Sequence, residues 1–279
     1  MGFGLLALLG AASWGVGDFF GGLAARRAYV LTVLVLSQAV GLVGALVWVL
    51  ASGESRPGAG AVLAGMAAGV CGAVGLAALY RGMAIGAMGV VAPISAASPV
   101  VPLAVDLARG DGPGALQWLG IAVVLGGIVL LAREPGATGS SPRLASGVAL
   151  SLLAALGFGL FVVGLDAAAD SSVPWTILSV RSASTALALV LALAAGATLR
   201  PPGPLWPTIA AVGIFDTVAN VLVAYATTRG SAGVVAVLSA LYPVATVMLA
   251  RVVLGERLDG LRRLGAVLAL GGAALVAAG

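Results

Sequence analysis

Hydrophobic residues in this chain come in runs of about twenty, and the polar intervals between the runs are short. Cut at clusters of Gly, Pro and charge, the sequence gives ten such runs, near residues 3–25, 30–51, 58–80, 86–108, 114–132, 144–165, 174–196, 205–228, 232–253 and 263–278. A hydrocarbon core of about 30 Å takes about 20 residues of helix to cross, so the runs read as membrane spans. The longest polar connection, REPGATGSSPR at 133–143, falls near the middle of the chain. The expected fold is an all-α integral membrane protein with ten transmembrane helices.

Composition strengthens this reading. Of 279 residues, 61% are hydrophobic and 9% charged, against roughly a quarter charged in a soluble domain, and the mean hydropathy is +1.16. All 14 basic residues are arginine, against 10 acids. They are scattered at the ends of apolar runs, where interfacial anchors belong, whereas a nucleic-acid binder gathers its basic residues on one face. No nucleic-acid partner is therefore expected. With no His and a single cysteine, Cys71, the chain offers neither a disulfide nor a metal cluster; no metal and no cofactor are expected, and Cys71 reads as helix packing. No basic segment precedes the first run, which is read as a permanent helix rather than a cleaved signal peptide.

The central position of the polar connection prompts a search for an internal repeat. Residues 89–103, GVVAPISAASPVVPL, align with 233–247, GVVAVLSALYPVATV, at an offset of 144. Downstream, Gly120, Gly126 and Gly127 face Gly265, Gly271 and Gly272 at an offset of 145, and Gly110-Asp111 faces Gly255-Glu256. Upstream, GVGDF at 15–19 faces GFGLF at 157–161 at an offset of 142, which sets Leu160 opposite Asp18. Residues 1–135 are then one five-helix repeat and 136–279 the other. An odd number of spans makes the second copy enter the membrane from the opposite side, the inverted-repeat arrangement common in secondary transporters.

Trp14-Gly15 near the end of the first run, LSALYPVATVMLARVVLGERL at 238–258 with its Pro243 and Gly255-Glu256, and the spacing of Gly265, Gly271 and Gly272 form an ordered set. In this set the whole chain resembles the EamA branch of the drug/metabolite transporter superfamily. The resemblance implies ten helices in two EamA-like repeats and alternating access around a central cavity. It implies carriage of a small molecule (an amino acid, a related metabolite or a toxic compound), export more than uptake, and no enzymatic role. It also implies a multi-pass protein of the cell membrane with both termini in the cytoplasm. The arginine count disagrees: ten arginines follow the odd-numbered spans and three follow spans 2, 4 and 8, which by the positive-inside rule places both termini outside.

Few residues are available to carry chemistry inside such a bundle. An ionised Asp at a helix centre costs about 2.5–3.5 kcal/mol on insertion scales, so it persists where it faces the bundle interior, a partner or water. Asp18 is one. It lies about 10 Å from the end of its span, one turn beyond Trp14 and on a face with Ala11, Gly15, Gly21, Gly22 and Ala25, a small-residue stripe that suits close packing. Asp216 and Asn220 are a second such pair, facing Cys71 and Gly75 in the first half. Arg181, about seven residues into its span, must snorkel, bind an acid such as Asp216, or meet a substrate carboxylate. Ser95, Ser98 and Pro102 in span 4 match Ser239, Tyr242 and Thr246 in span 9, each set on one helical face. Pro99 and Pro243 lack an N–H and are expected to kink these helices, freeing carbonyls that only a protein interior or a wet cavity tolerates. Asp106, beside Arg109, reads as an interfacial helix end. Trp118, Trp175, Trp206, Tyr80 and Tyr225 read as interfacial anchors.

These residues point to a secondary carrier for a small-molecule substrate, with the lipid bilayer as its surroundings and protons as a coupling partner through Asp18, Asp216 or both. The same carboxylates also suit a cationic substrate. A passive facilitator is the alternative. A membrane-embedded enzyme is disfavoured by the lack of a His, Cys or clustered-acid constellation.

Overall fold

The structure, a computed structural model, describes residues 2–85, 94–95, 97–132, 142–254 and 260–279. Gly86, the repeated segment at 89–92, Ala96, most of the central connection and the Gly255-Glu256 pair lie outside the described residues. The helices are α1 (Phe3–Ala25), α2 (Val30–Ser52), α3 (Ala59–Ile85), α4 (Val100–Arg109), α5 (Ala115–Ala132), α6 (Pro142–Ala169), α7 (Val173–Ala194), α8 (Trp206–Thr227), α9 (Ala232–Ser239), α10 (Tyr242–Leu254) and α11 (Gly260–Ala278). Among the described residues, seven helical stretches are long and apolar enough to cross a membrane, and Ala115–Leu130 and Arg263–Val276 are shorter apolar helices.

Helices α9 and α10 form one span, Ala232–Val253, broken at Ala240 and Leu241. Pro243 has no N–H to give the Ser239 carbonyl, so the helical ladder fails there. Tighter turns replace it, with Leu241 N donating to Leu238 O at 3.3 Å and Val244 N to Leu241 O at 2.9 Å. The same device precedes α4: Ser98 N donates to Ser95 O at 3.2 Å and Val101 N to Ser98 O at 3.2 Å, on either side of Pro99. Gly110, at φ 87°, then closes α4 in the left-handed region, which a side chain adopts only at a cost.

The two halves are not side-by-side bundles. The most extensive packing pairs helices of opposite halves: α1 with α8, α3 with α6, α5 with α11, and α2 with α7. Glycines set these crossings. A Cβ at Gly120 would lie 2.8 Å from the carbonyl of Gly272, and a Cβ at Gly127 would lie 2.7 Å from the carbonyl of Gly265. These two contacts are exchanged by the repeat, since Gly120 maps to Gly265 and Gly127 to Gly272, so α5 and α11 cross on the pseudo-two-fold axis. The third repeated pair is different: a Cβ at Gly126 or at Gly271 meets nothing within 4 Å. Gly69 against Val180 and Gly213 against Ser37 are a second exchanged pair, packing α3 on α7 and α8 on α2.

The same contacts correct the alignment of the first helices. A Cβ at Gly15 would lie 2.6 Å from the carbonyl of Tyr242, and one at Gly159 would lie 2.7 Å from the carbonyl of Ser98. Ser98 and Tyr242 are 144 apart, and so are Gly15 and Gly159. Likewise Ser13 Oγ donates to the Phe215 carbonyl at 2.6 Å, where Gly157 meets the carbonyl of Cys71. The offset of 142 expected from GVGDF and GFGLF is thus two residues out of register, because the Gly-x-Gly spacing occurs in both helices at different heights. Val162, not Leu160, is opposite Asp18. Gly72 and Leu76, not Cys71 and Gly75, are opposite Asp216 and Asn220. The acids and the amide still have no polar counterpart.

Outside the crossings an aliphatic cavity of about 540 Å³, lined by Ile94, Val101, Val129, Leu152, Ala155 and Leu156 among others, opens at the surface between α4, α5 and α6. It has no charged or hydrogen-bonding side chain. The glycine geometry gives a paired test. Gly272→Ala pushes a Cβ to 2.6 Å from the amide nitrogen of Val124 and is expected to cost about 1–3 kcal/mol, lowering the thermal midpoint in detergent; Gly271→Ala is expected to leave it unchanged.

Candidate functional site

Near the middle of the bundle, α1, α2, α7, α8 and α10 bring their polar side chains together. Trp14 and Asp216 meet because α1 packs along α8 with small residues between them: Gly10 against Ala219 and Val223, Gly17 against Phe215 and the amide of Asp216. Trp14 Nε1 donates to Asp216 Oδ1 at 3.1 Å and to Asn220 Oδ1 at 3.0 Å. Arg181 Nη1 donates to the other carboxylate oxygen, Asp216 Oδ2, at 2.6 Å and to Gln38 Oε1 at 2.6 Å. Ser184 Oγ donates to the same Gln38 oxygen at 3.1 Å. Arg181 is 1% exposed, so it does not snorkel: it is held in a buried ion pair with Asp216. Its Nε and Nη2 have no hydrogen-bond partner among the described residues.

The Arg181–Gln38 bond lies on the symmetry axis. With Ser37 equivalent to Val180 by the exchanged glycine contacts, Gln38 is equivalent to Arg181 and Gly41 to Ser184. The helices therefore present the same positions to each other, and the two departures match. Where one half has Ser184, the other has Gly41, and a Cβ there would lie 3.2 Å from Arg181 Nε and 3.3 Å from its Cδ. Loss of a side chain at Gly41 gives the guanidinium its space.

Asp18 differs from Asp216 in every respect that matters for binding. It is exposed, and among the described residues it takes part in no ion pair. Yet it is not on the lipid side of α1. Trp14, one turn earlier, faces α8, and Gly15 packs against Tyr242 and Ala245 of α10, so Asp18 points between these two helices. Its carboxylate interacts electrostatically with Asp216 and with the Tyr242 phenol. Thr246 Oγ1, one turn past Tyr242, donates to the Gly15 carbonyl at 3.1 Å and ties α10 to α1. The ring of Phe161 from α6 lies 6.3 Å from that of Trp14. One wall of the centre is thus polar, while the symmetry-related wall carries Phe158 and Val162.

Trp14, Asp18, Arg181, Asp216, Asn220 and Tyr242 are therefore gathered in one place. Ser239 is buried one turn before Tyr242, and its hydroxyl has no hydrogen-bond partner among the described residues. Ser98 instead faces α6, through the contact of its carbonyl with Gly159, and Ser95 is buried a turn earlier. The small-residue stripe on α1 is shorter than expected: Gly15 packs tightly, whereas a Cβ at Gly22 meets nothing within 4 Å. Asp106 is not a plain interfacial helix end. It is 3% exposed, and its Oδ2 accepts the Gly233 amide at 2.6 Å, placing a carboxylate on the positive end of α9. Arg109 pairs with Asp166 of α6 at 3.1 Å. Gln38 and Ser184 were missed in the sequence, although Gln38 is one of only two glutamines in the chain and stands well inside the second apolar run.

Helices paired across an axis and a span broken at a proline define a multi-pass membrane protein built as an inverted repeat. The chain belongs to the EamA-like transporter family, whose family model matches residues 3–133 and again 145–278; it is a membrane transporter of small solutes. Its fold is similar to that of a solved protein crystal structure at a TM-score of 0.79 and 19% identity, over 98% of this chain and 94% of the other. At that identity the likeness shows the fold alone. No curated protein sequence matches the chain.

Breaking a buried pair strands a charge, at about 3–5 kcal/mol. Asp216→Ala is therefore expected to lower thermal stability in detergent strongly, while Asp18→Ala, which strands nothing, leaves it nearly unchanged.

Proposed function

We propose that the protein is a secondary active carrier of the cell membrane that exchanges protons for a small organic cation at Asp18, exporting the cation by alternating access. The observation that carries this reading is the contrast between the two acids. Asp216 is occupied by Arg181 and Trp14. Asp18 is exposed, has no ion-pair partner among the described residues, and interacts electrostatically with Asp216 and with Tyr242. A carboxylate among aromatic rings, in a medium of lower dielectric than water, attracts a cation far more strongly than one at a free surface.

Sharing one carboxylate gives coupling without further machinery. A proton and a cationic solute cannot neutralise Asp18 at the same time, so each leaves as the other arrives, and the inward proton gradient drives the solute outward. The pseudo-two-fold relation of the halves supports alternating access, since exchanging their conformations turns a site open to one side into a site open to the other. Family resemblance supports export and cytoplasmic termini.

The test uses proteoliposomes with an imposed pH gradient and a panel of cationic, zwitterionic and neutral solutes. The expected result is uphill movement of a cation against the proton flow, abolished in Asp18→Asn. Equilibration without accumulation makes the protein a facilitator and overturns the coupling. Unchanged transport by Asp18→Asn overturns the assignment of the acid.

A further inference from the structure

The central constellation holds two carboxylates, Asp18 and Asp216, and one guanidinium, Arg181, which leaves a single net negative charge. All three are features of one repeat position only: Val162, Gly72 and Gln38 stand at the symmetry-related places. Arg181 cannot meet a solute directly. It is 1% exposed, its Nε is walled off by Gly41, and its bonding nitrogen is divided between Asp216 and Gln38. Its charge nevertheless acts on Asp18 through Asp216, whose side chain is 31% exposed and whose carboxylate interacts with that of Asp18.

We propose that Arg181 is the residue that sets the charge of the transported solute, cancelling Asp216 so that the site accepts monocations and rejects dications. This rests on the proposed role of Asp18 as cation site. Without Arg181 the site would carry two uncompensated carboxylates that interact with each other, a site for a dication. Gln38 at the equivalent position shows that a neutral side chain of this shape is accommodated at the crossing of α2 and α7. The departure from symmetry at Gln38 and Arg181, together with the matching departure at Gly41 and Ser184, thus has a functional consequence beyond packing: it fixes the valence of the cargo.

The probes are 1-methyl-4-phenylpyridinium and methyl viologen, which share a two-ring frame and carry one and two positive charges. Binding is measured by isothermal titration on the purified full chain in detergent. Wild type is expected to favour the monocation by about tenfold, because the cost of stripping water from an ion rises with the square of its charge while attraction to a single net negative charge rises only in proportion to it. Arg181→Gln is expected to reverse the preference. The double variant Arg181→Gln/Asp216→Asn restores one net negative charge and is expected to return the preference to the monocation, a rescue that no packing role predicts. Gln38→Glu keeps Arg181 and offers it a stronger acceptor, so it does not threaten folding. It adds one negative charge and is expected to shift the preference to the dication as well. Wild type that binds the monocation while Arg181→Gln and Gln38→Glu keep the same preference overturns the role of Arg181 and leaves Asp18 as the cation site. Wild type that binds neither probe overturns the cation reading itself.

Discussion

A guanidinium buried at the centre of a membrane bundle must have a carboxylate beside it, and Arg181 is buried to 1%. That requirement fixes Asp216, which answers with one oxygen and gives the other to Trp14. Gln38 must then supply a second acceptor from α2, and Gly41 must lack a side chain to leave room. Four helices, α1, α2, α7 and α8, are thereby held to one another by hydrogen bonds to a single pair of charges. Hydrophobic burial alone does not hold helices in register in lipid, because the tails are as apolar as the side chains. Polar bonds and close backbone approach take over that task.

Close approach is the work of glycine. Gly120 and Gly127 on α5, with Gly265 and Gly272 on α11, bring two backbones within reach of each other's carbonyls, and their exchange under the repeat gives the whole assembly its axis. Around that axis the frame is symmetric and the chemistry is not. Trp14, Asp18, Asp216 and Asn220 form a polar wall; Phe158, Val162, Gly72 and Leu76 stand opposite. The two halves thus share one frame, and the polar groups that distinguish them lie on one wall of it.

How much of this was legible in the sequence depended on what kind of information each residue carries. The spans were legible because about 20 apolar residues are a requirement of the bilayer itself. The α9–α10 break was legible because proline lacks a donor wherever it stands. Asp18, Arg181 and Asp216 stood out because ionised groups in apolar runs are rare. Gln38 was passed over although it is polar too, since an uncharged amide in an apolar run signals less than a charge. The register of α1 against α6 was misread because Gly-x-Gly recurs by chance in glycine-rich helices, and only contact with Tyr242 and Ser98 separates the equivalent glycines from the coincidental ones. Asp106 was misread for a related reason: its partner is the backbone amide of Gly233, 127 residues away, and a backbone group leaves no mark in a sequence.

The sequence by itself determined the class of molecule, its repeat and the identity of its few charges, since those follow from apolar run lengths and from the cost of charge in lipid. Tertiary structure decided which charges neutralise each other and which one remains. Arg181 and Asp216 are 35 residues apart, and Asp18 lies far from both in the chain; nothing local says that Asp216 is spent on Arg181 while Asp18 is left with no ion-pair partner among the described residues. That distinction arises only when α1, α7 and α8 are packed around the axis, because charge compensation is a matter of distance, and distance between helices is set by the packing of the whole bundle.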